Sequence, residues 1–196
     1  QNIAITLSSQ MDSASFSSIN IKTDNQIAES IVWDAPLYQS LTAHFAGKFM
    51  PRQKYELTVD QMASRCGTSI DDARVYWSLT EKPSSGDVLF NEIMFDPQTG
   101  SSEYIELKNV SSKAINLTEL QFATYNEDST LEALYPLSLQ PKILFPDSII
   151  VLSKDFNAYT EQYNCSCSDH FVIMNSFPSL ANEGAKMGLY SRSLIK

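Results

Sequence analysis

The stretch that decides the fold is Gly86-Asp87-Val88-Leu89-Phe90-Asn91-Glu92-Ile93-Met94-Phe95, followed by Asp96-Pro97-Gln98-Thr99-Gly100. Residues 88–95 predict a strand, and residues 104–107 predict the next one. Between them, Pro97 fixes φ and Gly100 accepts a positive φ, so residues 96–100 predict a tight turn. A strand, a turn and a second strand are typical of an antiparallel sheet.

The same alternation of apolar and polar residues recurs on both sides of this stretch. A period of two places every second side chain on one face of a strand. Many short strands separated by turns predict an all-β chain made of antiparallel sandwiches. The predicted strands are residues 3–7, 19–23, 41–45, 55–59, 75–79, 88–95, 104–107, 115–117, 121–124, 149–152, 171–174 and 186–190.

A break in the pattern falls at Glu81-Lys82-Pro83-Ser84-Ser85-Gly86. Pro83 removes a backbone donor, and the Ser and Gly residues loosen the chain. We therefore predict two tandem domains, residues 1–82 and residues 86–196. The best helix candidate is residues 154–163, capped by Asp155. It is too short to organise a parallel sheet, which needs crossovers of about a dozen residues.

The composition excludes some partners. The 196 residues carry a net charge of −9, with a pI near 4.6, whereas nucleic-acid binding needs clustered Lys and Arg. No run approaches the roughly 20 apolar residues that span a bilayer, so we expect no membrane insertion in this segment. Because no initiator Met or signal peptide precedes Gln1, we expect it to follow an internal cut in a longer protein.

From Gly86 onward the chain resembles the bacterial lamin-tail domain family. The resemblance is carried by five blocks, residues 86–97, 102–109, 115–117, 145–152 and 177–184. It implies an immunoglobulin-like sandwich that acts as a binding or positioning module, often attached to a secreted enzyme or an anchored surface protein.

The first half is similar to bacterial immunoglobulin-like domains of the surface-layer type. Met11-Asp12-Ser13-Ala14-Ser15-Phe16, residues 54–59 and Arg65-Cys66-Gly67 carry this similarity. In that family a strand normally lies before the residue equivalent to Gln1. The resemblance therefore implies two tandem immunoglobulin-like sandwiches, of which the first lacks its first strand.

Three cysteines are too few for a disulfide scaffold. Cys165 and Cys167 lie too close together to bond comfortably, so in an oxidising compartment we predict that Cys66 pairs with one of them, Cys165. The alternatives are a soft metal site or a Cys–His nucleophile built from Cys165, Cys167 and His170. A closed zinc site takes four ligands, and a nucleophile needs a third orienting group, so both are less favoured.

Acidic side chains suggest two further kinds of site. The acids between Asn91 and Glu106 resemble a paired-carboxylate hydrolase site, but solvated strand faces explain them better. We expect Glu92 and Glu106 to be diagonal, solvated or bonded to backbone donors. Asp71-Asp72, Asp87, Asp96 and Glu127-Asp128 are weak candidates for structural calcium, since none fits the usual loop and turn capping is the simpler role. We expect no cofactor.

Aromatic residues supply the candidate ligand contacts. Trp77 lies within an alternating pattern and is expected to be buried. Trp33 precedes the turn Asp34-Ala35-Pro36, which favours a partly exposed ring, and Tyr38 follows. We predict that Trp33 and Tyr38 contact a ligand such as a sugar.

Together these features predict a non-catalytic structural, adhesive or binding module of a secreted or cell-surface bacterial protein. The expected partners are a protein or polysaccharide at the cell surface and flanking domains of the same polypeptide, and the expected location is extracellular or in the cell envelope. A carbohydrate- or protein-binding accessory domain of a secreted enzyme is the first alternative. A metal-assisted hydrolase is the second.

Overall fold

The computed structural model describes residues 1–16, 19–24, 26–164, 168–182 and 184–192. The chain divides into two compact units, unit 1 (Gln1–Leu79) and unit 2 (Thr80–Lys196). Strands dominate both, and the single α-helix among the described residues is α1, Phe156–Tyr163. The predicted all-β class is therefore confirmed. In the part of the chain that is described, no helix combines the length and apolar character needed to cross a bilayer.

Unit 1 contains two main sheets, with strand orders β1-β5-β4 and β3-β2-β6-β9, and a small β7-β8 ribbon. All of its strand pairs are antiparallel. The strands are β1 (Asn2–Thr6), β2 (Asn20–Thr23), β3 (Gln26–Ile27), β4 (Ser30–Trp33), β5 (Ser40–His44), β6 (Tyr55–Asp60), β7 (Met62–Ala63), β8 (Ser69–Ile70) and β9 (Ala73–Trp77).

The core of unit 1 follows from the alternation in its strands. In β6, Tyr55, Leu57 and Val59 are buried, while the residues between them are half-buried. Leu41 and Ala43 of β5, in the other sheet, belong to the same buried cluster. The two sheets therefore pack around one apolar layer, as in a β-sandwich.

Unit 2 also has two main sheets, with strand orders β10-β11-β16-β17 and β14-β13-β18, and a short β12-β15 pair. Its strands are β10 (Val88–Met94), β11 (Tyr104–Asn109), β12 (Ile115–Asn116), β13 (Leu120–Tyr125), β14 (Leu131–Pro136), β15 (Ile143–Leu144), β16 (Ile149–Ser153), β17 (Phe171–Ile173) and β18 (Lys186–Ser191).

The four-stranded sheet of unit 2 is covered on both faces. Ile105 and Leu107 of β11 point into the main core, which also contains Phe122 of the other sheet. On the outer face, Tyr104 joins a second cluster with Tyr159 of α1 and Phe171. The helix therefore covers the outside of this sheet.

Helix α1 begins where the sequence predicts. The Asp155 carboxylate accepts from the backbone N–H groups of Asn157 and Ala158 at 2.9 and 3.1 Å, which satisfies two of the free donors of the first turn. The helix ends at Asn164, which adopts a left-handed φ of 46°.

The expectation that the chain contains only antiparallel pairs is wrong at one edge. Strand β17 runs parallel to β16, with Val151 opposite Phe171 and Leu152 opposite Val172. Residues 154–170, which contain α1, connect the two strands. A connection of this length is long enough for the crossover that a parallel pair requires. The parallel strand, β17, is short and lies at the edge of the sheet.

Candidate functional site

Trp33 and Tyr38, the two predicted ligand contacts, lie together in unit 1. Trp33 is the last residue of β4, and its ring stacks on Phe16 with centroids 4.0 Å apart and planes 5° apart. Tyr38 presents an edge-on contact to Phe16 at 5.1 Å and to Trp33 at 6.5 Å. We call Phe16, Trp33 and Tyr38 the loop-end cluster.

The loop between β4 and β5 fixes the position of Tyr38. Tyr38 adopts a left-handed φ of 50°, which is uncommon for a bulky side chain. Its N–H donates to the Asp34 carbonyl at 2.9 Å, and its carbonyl accepts from the Met11 N–H at 3.1 Å. The Ser40 hydroxyl also donates to the Asp34 carboxylate at 3.1 Å. These bonds tie the loop to its surroundings, so the cluster is preformed.

The loop-end cluster is half-buried beside an exposed leucine. Phe16 and Trp33 pack against the core of unit 1, and all three rings keep part of their surface exposed. Leu37, directly before Tyr38, is 54% exposed. Exposed apolar groups next to aromatic ones are typical of a surface that meets a partner.

Trp77 is packed against the core but is not fully buried. Its ring stacks on Tyr55 with centroids 4.9 Å apart, and its Nε1–H donates to the Thr23 hydroxyl at 3.1 Å. The prediction that Trp77 is buried holds only in part, because Trp77 is half-buried against the core on β9, an edge strand.

The cysteine predictions are not tested by the described residues. Cys66 is exposed, whereas Cys165 and Cys167 lie outside the described residues, so the Cys66–Cys165 disulfide stays a prediction. The Nδ1 atom of His170 lies 3.1 Å from the Ile149 carbonyl oxygen. Within the described ranges, no group of three or more His, Cys, Asp and Glu residues could hold a metal ion.

Glu92 and Glu106 are directly opposed and not diagonal, but Glu92 is exposed and Glu106 is half-buried, in agreement with the alternative that these carboxylates are solvated. Asn91 is an extra residue in β10, and the resulting bulge brings Glu92 opposite Glu106 of β11. Side chains supply the donors. The Tyr104 hydroxyl donates to Glu92 Oε1 at 2.6 Å, and the Asn91 amide donates to Glu106 Oε2 at 2.8 Å.

Tyr104 of the sheet and Tyr159 of α1, whose rings meet edge-to-face at 5.2 Å, are held in their neutral form. Burial raises the pKa of Tyr104 far above its ordinary value, and the hydrogen bond to Glu92 adds to this effect. Burial also raises the pKa of Tyr159, with a further contribution from the Glu106 carboxylate. Tyr104 is therefore a permanent donor to Glu92 near neutral pH, and this contact holds the carboxylate against the sheet.

Three of the weak calcium candidates are engaged by neighbouring donors. Hydrogen bonds from Arg74 lower the pKa of Asp72, and those from Thr130 lower the pKa of Asp128. Burial opposes ionisation of Asp87, yet hydrogen bonds from the Lys113 ammonium, 2.7 Å away, and from the Ser84 N–H lower its pKa overall. These contacts match the turn and ion-pair roles that such residues usually have.

A surface that the sequence analysis did not single out lies on unit 2. The outer face of the β14-β13-β18 sheet carries Tyr125 and Tyr190, whose hydroxyl groups are hydrogen-bonded to each other. We call this outer face the tyrosine face. The sequence does hold one signal for it, because Gly188 interrupts a predicted strand, and an isolated Gly there often marks a close approach.

Comparison with known proteins gives one match. The model of the Lamin Tail Domain family matches residues 81–189, which is more than half of the 196 residues. No curated protein and no solved structure matches the chain. Lamin tail domains are immunoglobulin-like modules that are in general non-catalytic, and this chain belongs to the lamin tail domain family.

Proposed function

We propose that this chain is a non-catalytic binding module of a bacterial secreted or cell-surface protein, and that it contacts a protein partner through the loop-end cluster and Leu37. The proposal includes a location outside the cell or in its envelope, where a net charge of −9 favours solubility. The module acts together with flanking domains of the same polypeptide.

The observation that carries this proposal is the preformed loop-end cluster beside an exposed leucine. Hydrogen bonds on both sides of Tyr38 hold the loop in place, so little ordering entropy is lost when a partner binds. Phe16 stacks on Trp33 at 4.0 Å and thereby occupies one face of its ring. A broad apolar contact with a protein suits this surface better than a sugar stacked on the indole.

The test is binding of the full chain, labelled with a fluorophore, to envelope fractions of its source cells. We expect saturable binding that protease treatment of the fraction removes. Leu37→Asp should weaken binding at least tenfold, because it places a charge in the apolar contact. The control is Ile27→Asp on β3, since Ile27 is 62% exposed in the other sheet of the same unit.

Two results would contradict the proposal. One is binding that survives protease treatment unchanged, and the other is equal affinity for the Leu37→Asp and Ile27→Asp variants. Near-ultraviolet circular dichroism of both variants checks that unit 1 keeps its fold.

A further inference from the structure

The tyrosine face of unit 2 carries few ionic side chains in a chain that is strongly acidic. Strands β13, β14 and β18 are described in full. The paired positions on their outer face hold one ionic side chain, Lys186, whose ammonium donates to the Ser129 hydroxyl at 2.5 Å, and the exposed Glu132 lies at the bulge of β14 beside them. The residues on this face are Leu131, Leu134, Pro136, Gln121, Ala123, Tyr125, Lys186, Gly188 and Tyr190.

Tyr190 lies along this surface and does not project away from it. A Cβ atom built on Gly188 would meet Tyr190 Cε2 at 2.7 Å and its hydroxyl oxygen at 3.1 Å, so the hydroxyl end of the ring lies over Gly188. Residues two apart on a strand are separated by about 6.6 Å, close to the length of a tyrosine side chain. Tyr190 therefore spans from its own position to Gly188, parallel to the sheet.

A small-residue pair makes room for this arrangement. Gly188 is opposite Ala123 in the register of β13 and β18, and the two leave a shallow depression that Tyr190 covers. The Tyr190 hydroxyl then meets the Tyr125 hydroxyl. The two tyrosines thus form one low aromatic platform, partly exposed to solvent.

Gln121 adds a polar side chain to the tyrosine face. It lies opposite Tyr190 on the same face and is only 7% exposed. Its side-chain amide makes no hydrogen bond with any described residue, although it carries two donor hydrogens and an acceptor oxygen. The amide is not among the enclosed polar atoms that lack a partner, so it reaches the surface and can bond to a hydroxylated ligand beside the tyrosines.

We propose that the tyrosine face binds a neutral polysaccharide, whose sugar rings stack on Tyr190 and Tyr125 and whose hydroxyl groups bond to the Gln121 amide. A pyranose ring combines an apolar C–H face with hydroxyl groups at its rim, which matches an aromatic surface with one unpaired amide. Lys186 and Glu132 balance each other in charge, which favours a neutral polymer over an anionic one. This proposal goes beyond the protein contact of unit 1 and uses a different surface.

The test is affinity electrophoresis of the full chain in native gels containing hydroxyethylcellulose, galactomannan or dextran. Polygalacturonate serves as the anionic polymer. We expect retardation by at least one neutral polymer and at least tenfold weaker binding for Tyr190→Ala and for Gln121→Met. The matched control is Tyr76→Ala on β9 of unit 1, because Tyr76 is an exposed tyrosine outside this face, and its affinity should stay within twofold.

Several results overturn the proposal. The proposal is wrong if none of the three neutral polymers retards the chain, or if polygalacturonate retards it equally or more strongly. It is also wrong if Gln121→Met binds as tightly as the unaltered chain. Gln121→Met keeps the size of the side chain, so it decides the matter even if Tyr190→Ala unfolds. Sedimentation velocity adds one more outcome, since a dimer that Tyr190→Ala dissociates would show that a second copy covers the face and that the sugar proposal is wrong.

Discussion

Glu92 and Glu106 face each other directly across β10 and β11, although both are carboxylates. Like charges in this position destabilise a sheet. The bulge at Asn91 forces the pairing, and it also supplies a remedy, because the Asn91 amide donates to Glu106. Tyr104 donates to Glu92 in the same way. Each carboxylate therefore has its own neutral donor, while the repulsion between the two remains.

Removing one charge of this pair should stabilise unit 2. In Glu106→Gln, the Gln side-chain oxygen can still accept from Asn91, so the repulsion is lost and the hydrogen bond is kept. We expect the free energy of unfolding to rise by about 0.2–1 kcal/mol at low ionic strength, and the gain to shrink in high salt. Urea titration followed by circular dichroism measures it.

The chain provides an internal control for this experiment. Both of its tryptophans, Trp33 and Trp77, lie in unit 1, so the transition seen by tryptophan fluorescence should not move. Glu132→Gln removes a charge from an exposed position on β14 and should change stability by less than about 0.5 kcal/mol. A gain of the same size in both variants would mean that net charge alone is responsible.

Tyr104 should make unit 2 sensitive to alkali. Burial, and then the bond to Glu92, raise its pKa in the folded state above the value of about 10 expected when unfolded. The stability that this group contributes is complete below pH ~10 and is lost as the pH rises through the folded pKa. We expect Tyr104→Phe to flatten the fall in unfolding free energy above pH ~10. A slope identical to that of the unaltered chain in this range argues against the assignment.

The Asp155 cap should control how firmly α1 covers the outer face of the sheet. Asp155→Ala removes the acceptor for the Asn157 and Ala158 N–H groups, and we expect a loss of about 1 kcal/mol in unfolding free energy. Asp155→Asn keeps a capping oxygen and should lose much less. Hydrogen exchange at Tyr159 reports the helix directly, and equal protection in both variants would refute this role.

Substitution of Asn109 should lower the free energy of unfolding of unit 2 more than substitution of most of its other polar residues. It is fully buried, and its amide donates to the carbonyls of Lys113 and Leu144 at 2.7 and 3.0 Å. Its side-chain oxygen accepts from the N–H and hydroxyl of Ser111. Asn109→Leu leaves these groups without partners, and each such group costs about 1–3 kcal/mol.

Thermal unfolding measures this cost. The matched control is Asn126→Leu, because Asn126 bonds to Thr130 in an exposed turn where water can replace it. If both variants lose the same stability, the buried network of Asn109 has no special role.

Local patterns predict the strands in which apolar and polar residue types alternate and miss those in which they do not. Residues 55–59 alternate cleanly and form β6. In β4, three apolar residues run consecutively at 31–33, so a period of two is not visible. Strand β14 reads Leu-Glu-Ala-Leu-Tyr-Pro, and its final Pro suits an edge strand but obscures the pattern.

The candidate surfaces depend on contacts that a local pattern does not contain. Phe16 joins Trp33 and Tyr38 through packing between segments far apart in the chain, so the sequence indicated two members of the loop-end cluster and missed the third. Tyr125 and Tyr190 are 65 residues apart. They meet because β18 pairs with β13, and strand pairing is set by the whole core.

The contact between Gly188 and Tyr190 predicts that Gly188→Ala has opposite effects on the free energy of unfolding when Tyr190 is present and when it is replaced by Ala. Gly in a strand normally costs about 0.5–1 kcal/mol relative to Ala. In the unaltered chain, however, a Cβ at position 188 would lie 2.7 Å from the Tyr190 ring, so Gly188→Ala must displace that ring and break its bond to Tyr125. We therefore expect Gly188→Ala to destabilise the unaltered chain and to stabilise the Tyr190→Ala variant.

The difference between the two effects should be about 0.5–3 kcal/mol, the range for residues in direct contact, and urea unfolding of the four proteins measures it. Additive effects would show that the ring does not lie over Gly188, and the platform proposed for the tyrosine face would lose its basis.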